Sequence, residues 1–426
     1  MILITLIKGG IKKLDNTLYA LGSNINYTLA IWLVSVIINH FLGAGDLGRF
    51  SLVQAIISPV ALLFQLQMKM LATIEYDIKG RFPLYQKTIL FSECVFMIVI
   101  LVIGIITKQP GLFYAFALFK AVEVYYNLIQ GYHQSGNNFR YVFFNSTFRG
   151  AVLLLLLIIG LRFLRSASIG FFATNVVLIS TIFIYDLRNI RKEVPSIAPR
   201  GSAAETRKLF TDGVTISLVA CMDALVVSIP RFIIKAEYNE VELGKFTMVL
   251  QFFIAATIFV VSVGHPFLVR LKTSLQNNDK RSFNIEVRNT LLLFLGASAL
   301  VIIGFILFGD LIMRIFWGRE NAYLSTELKL SMTGIIPLFL SSIFIYVINS
   351  LKYFRIHLMY YPVILISELI FGFFIIPAYG IRGGVMTVVF TQVIRMMLSG
   401  AVFFIVLRRF SNGPDSIMVD DDTPAV

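Results

Sequence analysis

Charge is scarce in this chain: Asp, Glu, Lys and Arg make up only 14% of its 426 residues, and cysteine is down to two. A water-soluble domain carries about 25% charged residues, so the deficit excludes an ordinary globular protein. Cys94 and Cys221 belong to no CxxC or Cys/His pattern, and they read as buried thiols. His40, His133, His265 and His357 show no ligand spacing, so neither a metal centre nor a cofactor is expected. No GxxxxGK[ST] loop is present to cradle a nucleotide, and no Ser/His/Asp arrangement stands out. The opening MILITLIKGGIKKLDN lacks a small-residue cleavage site; it reads as a short interfacial helix and not as a cleaved signal.

What fills the chain is hydrocarbon. Apolar residues reach 57%, and the mean hydropathy is +0.81. Twelve apolar stretches recur, at about 18–38, 48–68, 89–107, 112–132, 142–161, 168–187, 214–234, 246–269, 290–308, 331–351, 358–376 and 385–407. Each, as a helix, crosses about 30 Å at 1.5 Å per residue. The fold class expected is an all-α polytopic membrane protein. The formal net charge of +13 does not point to nucleic acid. With the amino terminus inside, most Lys and Arg fall in inner segments, with the largest clusters at Arg188 to Lys208 and Arg270 to Arg288. That asymmetry is the positive-inside rule and places both termini in the cytoplasm.

A hydrophilic stretch, 188–208, holds Pro195, Pro199, Gly201 and Ser202 and parts two six-span lobes, 1–187 and 209–410; the acidic tail, 411–426, reads as disordered. The lobes share a signature. Asp46-Leu47-Gly48-Arg49-Phe50-Ser51-Leu52-Val53 aligns with Glu242-Leu243-Gly244-Lys245-Phe246-Thr247-Met248-Val249, identical or chemically similar at every position. Both copies open the second span of their lobe in the same direction, so the repeat is parallel. Outer loops are short, which leaves little folded mass for an enzyme's site. The chain is not expected to be an enzyme.

Several charges interrupt the apolar stretches. Each costs at least about 2.5–3.5 kcal/mol at bilayer depth and faces a protein interior or a wet cavity. Lys120, Glu123, Asn127, Gln130 and Gln134 recur at intervals of three and four, which places them on one helix face. Lys120 and Glu123 either neutralise each other or line a lumen. Ser51, Gln54, Ser58 and Gln65 form a comparable face. So do Thr387, Thr391, Arg395 and Ser399, with Gln392 beside them. Such stripes serve helix packing as well as ligands. Asn145 and Arg149 sit at the inner end of the fifth span, where an Arg either lines an entrance or snorkels. Asp223 and Glu368 either pair with Arg395 or Lys120 or carry a coupling ion. A membrane protein that keeps such groups handles something polar, which points to transport.

Leu42-Gly43-Ala44-Gly45-Asp46-Leu47-Gly48-Arg49-Phe50, followed by Pro59, resembles the opening of Wzx-type polysaccharide flippases of the multidrug/oligosaccharidyl-lipid/polysaccharide exporter superfamily. Ile229-Pro230-Arg231-Phe232 through Phe246 resembles the start of that family's second lobe. Ile376-Pro377-Ala378-Tyr379-Gly380-Ile381-Arg382-Gly383-Gly384 is similar to the pattern before its last span, with Gly384 in place of the usual alanine. The resemblance implies a two-lobed, MATE-like carrier in the bacterial cytoplasmic membrane that moves undecaprenyl-diphosphate-linked oligosaccharide. A polysaccharide polymerase and a chain-length regulator are its implied partners. On this reading Lys120, Arg149 and Arg395 meet the diphosphate, and Glu123, Asn127, Gln54 and Gln392 meet the head group. The alternatives are a cation-coupled drug exporter, although no acidic residue lies within 18–38, and an assembly scaffold that transports nothing.

Overall fold

The computed structural model describes residues 2–412, apart from 76, 109, 195–201, 278, 352 and 354–355. Every element in it is a helix. In chain order these are α1 (Ile2–Leu42), α2 (Ala44–Phe64), α3 (Met68–Ile74), α4 (Ile78–Ile106), α5 (Gly111–Ser135), α6 (Phe139–Leu164), α7 (Ala167–Thr181), α8 (Leu187–Ile190), α9 (Ala203–Glu237), α10 (Glu240–Gln276), α11 (Lys280–Trp317), α12 (Ser325–Met332), α13 (Ile335–Ser350), α14 (His357–Tyr379) and α15 (Ile381–Asn412). A π-helical turn, Ile182–Asp186, joins α7 to α8. The helical outcome follows from the solvent: in hydrocarbon each backbone N–H and C=O needs a partner, and a helix supplies all of them within one segment.

Among the described residues, eleven helical stretches are long and apolar enough to cross a membrane. The remaining expected span, 246–269, lies within α10. Two local expectations change. No separate interfacial helix precedes the first span, because α1 runs unbroken from Ile2. The last helix continues through Ser411 and Asn412, and the rest of the acidic tail lies outside the described residues. Helix starts follow capping chemistry: Asp77, Asn138, Ser166 and Asp279 each accept a hydrogen bond from a backbone N–H three residues on.

The helices pack as two compact units. Unit 1 takes the chain up to Leu42 and Ile56–Ala224; unit 2 takes Gly43–Ala55 and the described chain from Leu225 onward. The packing division thus falls inside α9, downstream of the hydrophilic stretch 188–208, and it assigns the start of α2 to unit 2.

Unit 2 contains both copies of the repeated signature, and they touch each other. A Cβ on Gly48 would fall onto the Glu240 carbonyl and lie 3.0 Å from the Gly244 nitrogen. A Cβ on Gly244 would fall onto the Ala44 carbonyl, 3.2 Å from the Ala44 Cα. Glycine is required at both positions for the two backbones to approach this closely. The contact is reciprocal, as about a two-fold axis. The Ser51 and Thr247 hydroxyls, at equivalent positions of the two copies, lie 2.7 Å apart. Leu47, Phe50, Leu243 and Phe246 are buried around the crossing. Arg49 bridges Glu240 at 2.5 Å and Asp46 at 3.3 Å, and Lys245 pairs with Glu242 at 2.7 Å.

Candidate functional site

In unit 1 the polar stripe on α5 resolves into distinct roles. Lys120 pairs with Glu123 at 2.7 Å, with both side chains about one-fifth exposed or less. Gln130 donates to the Ser146 hydroxyl at 3.0 Å, and Gln134 meets Thr73 at 3.3 Å; both are spent on helix packing. Asn127 is half-buried on the same helix.

Arg149 joins this stripe from α6. It is 1% exposed, and its guanidinium carbon lies 4.3 Å from the ring centroids of both Tyr27 and Tyr126. Gly150 makes this possible, since a Cβ there would stand 2.9 Å from the Ala30 Cβ and hold α1, with Tyr27, away from α6. Tyr126 is oriented by its hydroxyl, which donates to the Leu178 carbonyl at 3.1 Å. The Tyr27 hydroxyl is buried beside Glu123. Arg149 therefore does not snorkel. It is held between two rings by cation–π contact, with Nε and Nη2 lacking hydrogen-bond partners.

Two members of this cluster escaped the sequence reading. Lys69 sits on α3, which packs closely on α5 at Gly131; a Cβ on Gly131 would lie 2.7 Å from the Lys69 carbonyl oxygen. The Lys69 charge repels that of Arg149 and is attracted by Glu123, and among the described residues Lys69 makes no ion pair within 4.0 Å. Asp186, fully buried on the π-helical turn, accepts from the Tyr141 hydroxyl and interacts electrostatically with Arg149. Three cations thus surround two carboxylates. Glu123 pairs with Lys120, and Asp186 accepts from Tyr141 while its Oδ2 has no hydrogen-bond partner; Lys69 and Arg149 feel both each other and these carboxylates electrostatically, but neither forms an ion pair within 4.0 Å among the described residues. Such a pair is stabilised by a polyvalent anion bound against it.

Unit 2 holds the other expected residues. Arg395 is 8% exposed and lies 5.5 Å from the Tyr361 ring centroid. Gln392 is buried with its Oε1 unpartnered, and Gln54 is half-buried. The Ser/Thr stripe of α15 is consumed locally: Thr387, Thr391 and Ser399 donate to the carbonyls of Gly383, Thr387 and Arg395. Glu368 is 1% exposed beside Thr391, and neither carboxylate oxygen has a hydrogen-bond partner. No ion pair within 4.0 Å joins Glu368 to Arg395. Asp223, in unit 1, is half-buried on α9. Two further buried charges lie outside the candidate set, Glu93 on α4 and Arg231 on α9, with Glu93 making no hydrogen bond through either oxygen.

No family model matches the chain. It is 20% identical over 386 residues to the capsular polysaccharide biosynthesis protein CapF of Staphylococcus aureus, covering 89% of this chain and 96% of that protein. Among solved structures it is similar to an inward-facing multidrug resistance MATE family transporter of the MOP superfamily. That match has a TM-score of 0.74 at 10% identity and covers 92% of this chain and 96% of the other. An outward-facing MATE transporter gives 0.70 at 11% identity, covering 94% and 96%. A MOP superfamily transporter from Pyrococcus furiosus, in which reverse polarity of the binding pocket suggests a different function, gives 0.67 at 12%, covering 93% and 96%. The chain has the transporter fold of the MATE proteins of the MOP superfamily.

Proposed function

We propose that this protein is a flippase that moves an undecaprenyl-diphosphate-linked oligosaccharide from the cytoplasmic to the outer leaflet of the bacterial inner membrane. The observation that carries the reading is the cluster within unit 1 in which three cations, Lys69, Lys120 and Arg149, meet two carboxylates, Glu123 and Asp186, and Arg149 keeps Nε and Nη2 without hydrogen-bond partners. A diphosphate brings two negative charges and a fan of acceptor oxygens, the chemistry that a guanidinium and an ammonium bind by charge-assisted hydrogen bonds. Arg149 offers Nε and Nη2, and Lys69 adds a point charge. The same surplus repels a cationic drug. The name of the staphylococcal relative, a capsular polysaccharide biosynthesis protein, supports a polysaccharide cargo.

The mechanism proposed is alternating access, in which the head-group site opens first to one side and then to the other while the polyprenyl tail stays in lipid. The similarity to both inward- and outward-facing transporters is consistent with it. ATP is not needed for direction: an inside-negative potential contributes about 2.3 kcal/mol per charge per 100 mV towards outward movement of an anion. Glu368 is the proposed coupling group in unit 2, since it is a buried carboxyl in a span and neither of its oxygens has a hydrogen-bond partner.

The test is reconstitution into liposomes with a fluorescent polyprenyl-diphosphate oligosaccharide. Arg149→Gln and Lys69→Gln each remove one charge from a desolvated anion contact, a loss of about 2–5 kcal/mol. Protein-dependent movement between leaflets should collapse in both variants. Movement at the wild-type rate in both would refute the assignment.

A further inference from the structure

A cavity of about 300 Å³ opens on unit 1 where the starts of α4 and α6, the end of α5 and the segment after α8 converge. Its lining includes Asp77, Lys79, Tyr132, His133, Asn138 and Glu193. All but one of the charges in its wall are paired. Lys79 meets Glu193 at 2.8 Å and holds that carboxyl below the usual carboxylate range. The Tyr132 hydroxyl donates to Glu193 at 3.2 Å. Glu75, also in the wall, pairs with Arg81 at 2.7 Å and accepts from the Tyr85 hydroxyl at 3.0 Å. Asp77 caps α4 by accepting from Gly80.

One group remains unanswered. His133 is 9% exposed, its ring packs against Tyr141 with centroids 3.7 Å apart at a 33° tilt, and its Nε2 is buried with no hydrogen-bond partner. Leaving such an atom unpaired costs about 1–3 kcal/mol, a cost that a ligand hydroxyl in the cavity would remove. With Lys79 paired to Glu193 and Glu75 to Arg81, the wall keeps one net negative charge, that of the helix-capping Asp77, which disfavours an anionic ligand. It offers spare carboxylate lone pairs beside the donors of Lys79 and the Asn138 amide. A hydroxyl both donates and accepts, so a mixed wall of this kind matches a polyol.

We propose that this cavity binds a sugar ring, with His133 Nε2 and the Glu193 carboxylate as its polar anchors. The site is connected to the cationic cluster: His133 packs on Tyr141, Tyr141 donates to Asp186, and Asp186 interacts with Arg149. Tyr126, which carries Arg149, lies seven residues before His133 on α5, about 10 Å along the axis. A diphosphate on Arg149 would place the outer sugars of a short oligosaccharide at the cavity. This placement rests on the reading of the cargo as a lipid-linked glycan, whereas sugar binding by the cavity itself does not.

The experiment has two arms. In the first, the purified full-length protein is presented with free hexoses and N-acetylhexosamines, and saturation transfer to the sugars is followed by NMR. Transfer is expected from wild type and from His133→Gln, which restores a polar terminus, and should be lost in His133→Phe, which keeps a ring packed on Tyr141. In the second arm, liposomes carry polyprenyl diphosphates bearing no sugar, one sugar or an oligosaccharide. His133→Phe should slow only the oligosaccharide, by about tenfold for one lost hydrogen bond of about 1.4 kcal/mol. No transfer from any sugar, or transfer unchanged in His133→Phe, would overturn the site. Sugar binding without lipid movement by wild type would instead overturn the cargo reading and leave the cavity assignment standing.

Discussion

Replacing Gly48 by alanine inserts one methyl carbon where two helix backbones already touch, and the outcome can be worked from the geometry. The added carbon would overlap the Glu240 carbonyl and sit 3.0 Å from the Gly244 nitrogen. A carbonyl inside a helix cannot rotate away as the end of a flexible side chain can, so the helices must separate. Separation loosens the buried packing of Leu47, Phe50, Leu243 and Phe246 and stretches the 2.7 Å contact of Ser51 with Thr247. Overpacking of this kind costs about 1–3 kcal/mol, and here the upper end applies because both colliding groups are main chain. Gly244→Ala should cost a similar amount, because it meets the Ala44 carbonyl in the reciprocal contact. The double variant should cost clearly less than the sum, since the first methyl already opens the gap that the second fills. The assay is thermal unfolding in detergent, followed by tryptophan fluorescence and by the fraction surviving size exclusion. Gly296→Ala is the internal control: a Cβ there meets nothing within 4 Å, and alanine improves helix propensity by about 1 kcal/mol. Wild-type stability in Gly48→Ala, or full additivity of the pair, would refute the reciprocal crossing.

Lys120→Met should destabilise the protein by less than the about 3–5 kcal/mol of an uncompensated buried charge, because Glu123 loses its 2.7 Å partner but keeps the fields of Arg149 and Lys69; adding Glu123→Gln should recover most of that loss in the same unfolding assay. Glu368→Gln should abolish the response of transport to an imposed pH gradient, and a response of wild-type size would remove Glu368 from the coupling role. In a background with Cys94 and Cys221 replaced by serine, Lys192→Cys should react with an impermeant thiol reagent only after cells are opened; labelling of intact cells would reverse the assigned orientation.

The helical architecture was legible because apolar run length and helical period are properties of the chain itself. The pairing of Lys120 with Glu123 needed only their spacing. Arg149 was visible as a charge in an apolar stretch, but its two tyrosine partners come from α1 and α5, so no local pattern could place it between them. Lys69 was hidden by a backbone event. Leu66 and Gln67 take positive φ, 53° and 45°, and break the helix between the polar face that ends at Gln65 and the lysine that follows. Neither residue is glycine, so nothing in the sequence marks the break. Asp186 lies at the end of the apolar stretch 168–187, and its partner Tyr141 comes from α6, so no local pattern marks it as buried. Glu93 was visible and passed over, four residues inside an apolar stretch and close to its edge. In the opposite sense, the Ser/Thr stripe of α15 was legible as polar, yet the hydroxyls of Thr387, Thr391 and Ser399 each donate to the preceding turn, a use that spacing alone does not reveal. The repeated signature presents a different case. Its likeness between the lobes could be read directly, but the reason for the glycine could not. Gly48 and Gly244 match because each is the other's contact, so a parallel internal repeat is preserved at the residues where its two copies must pass without side chains.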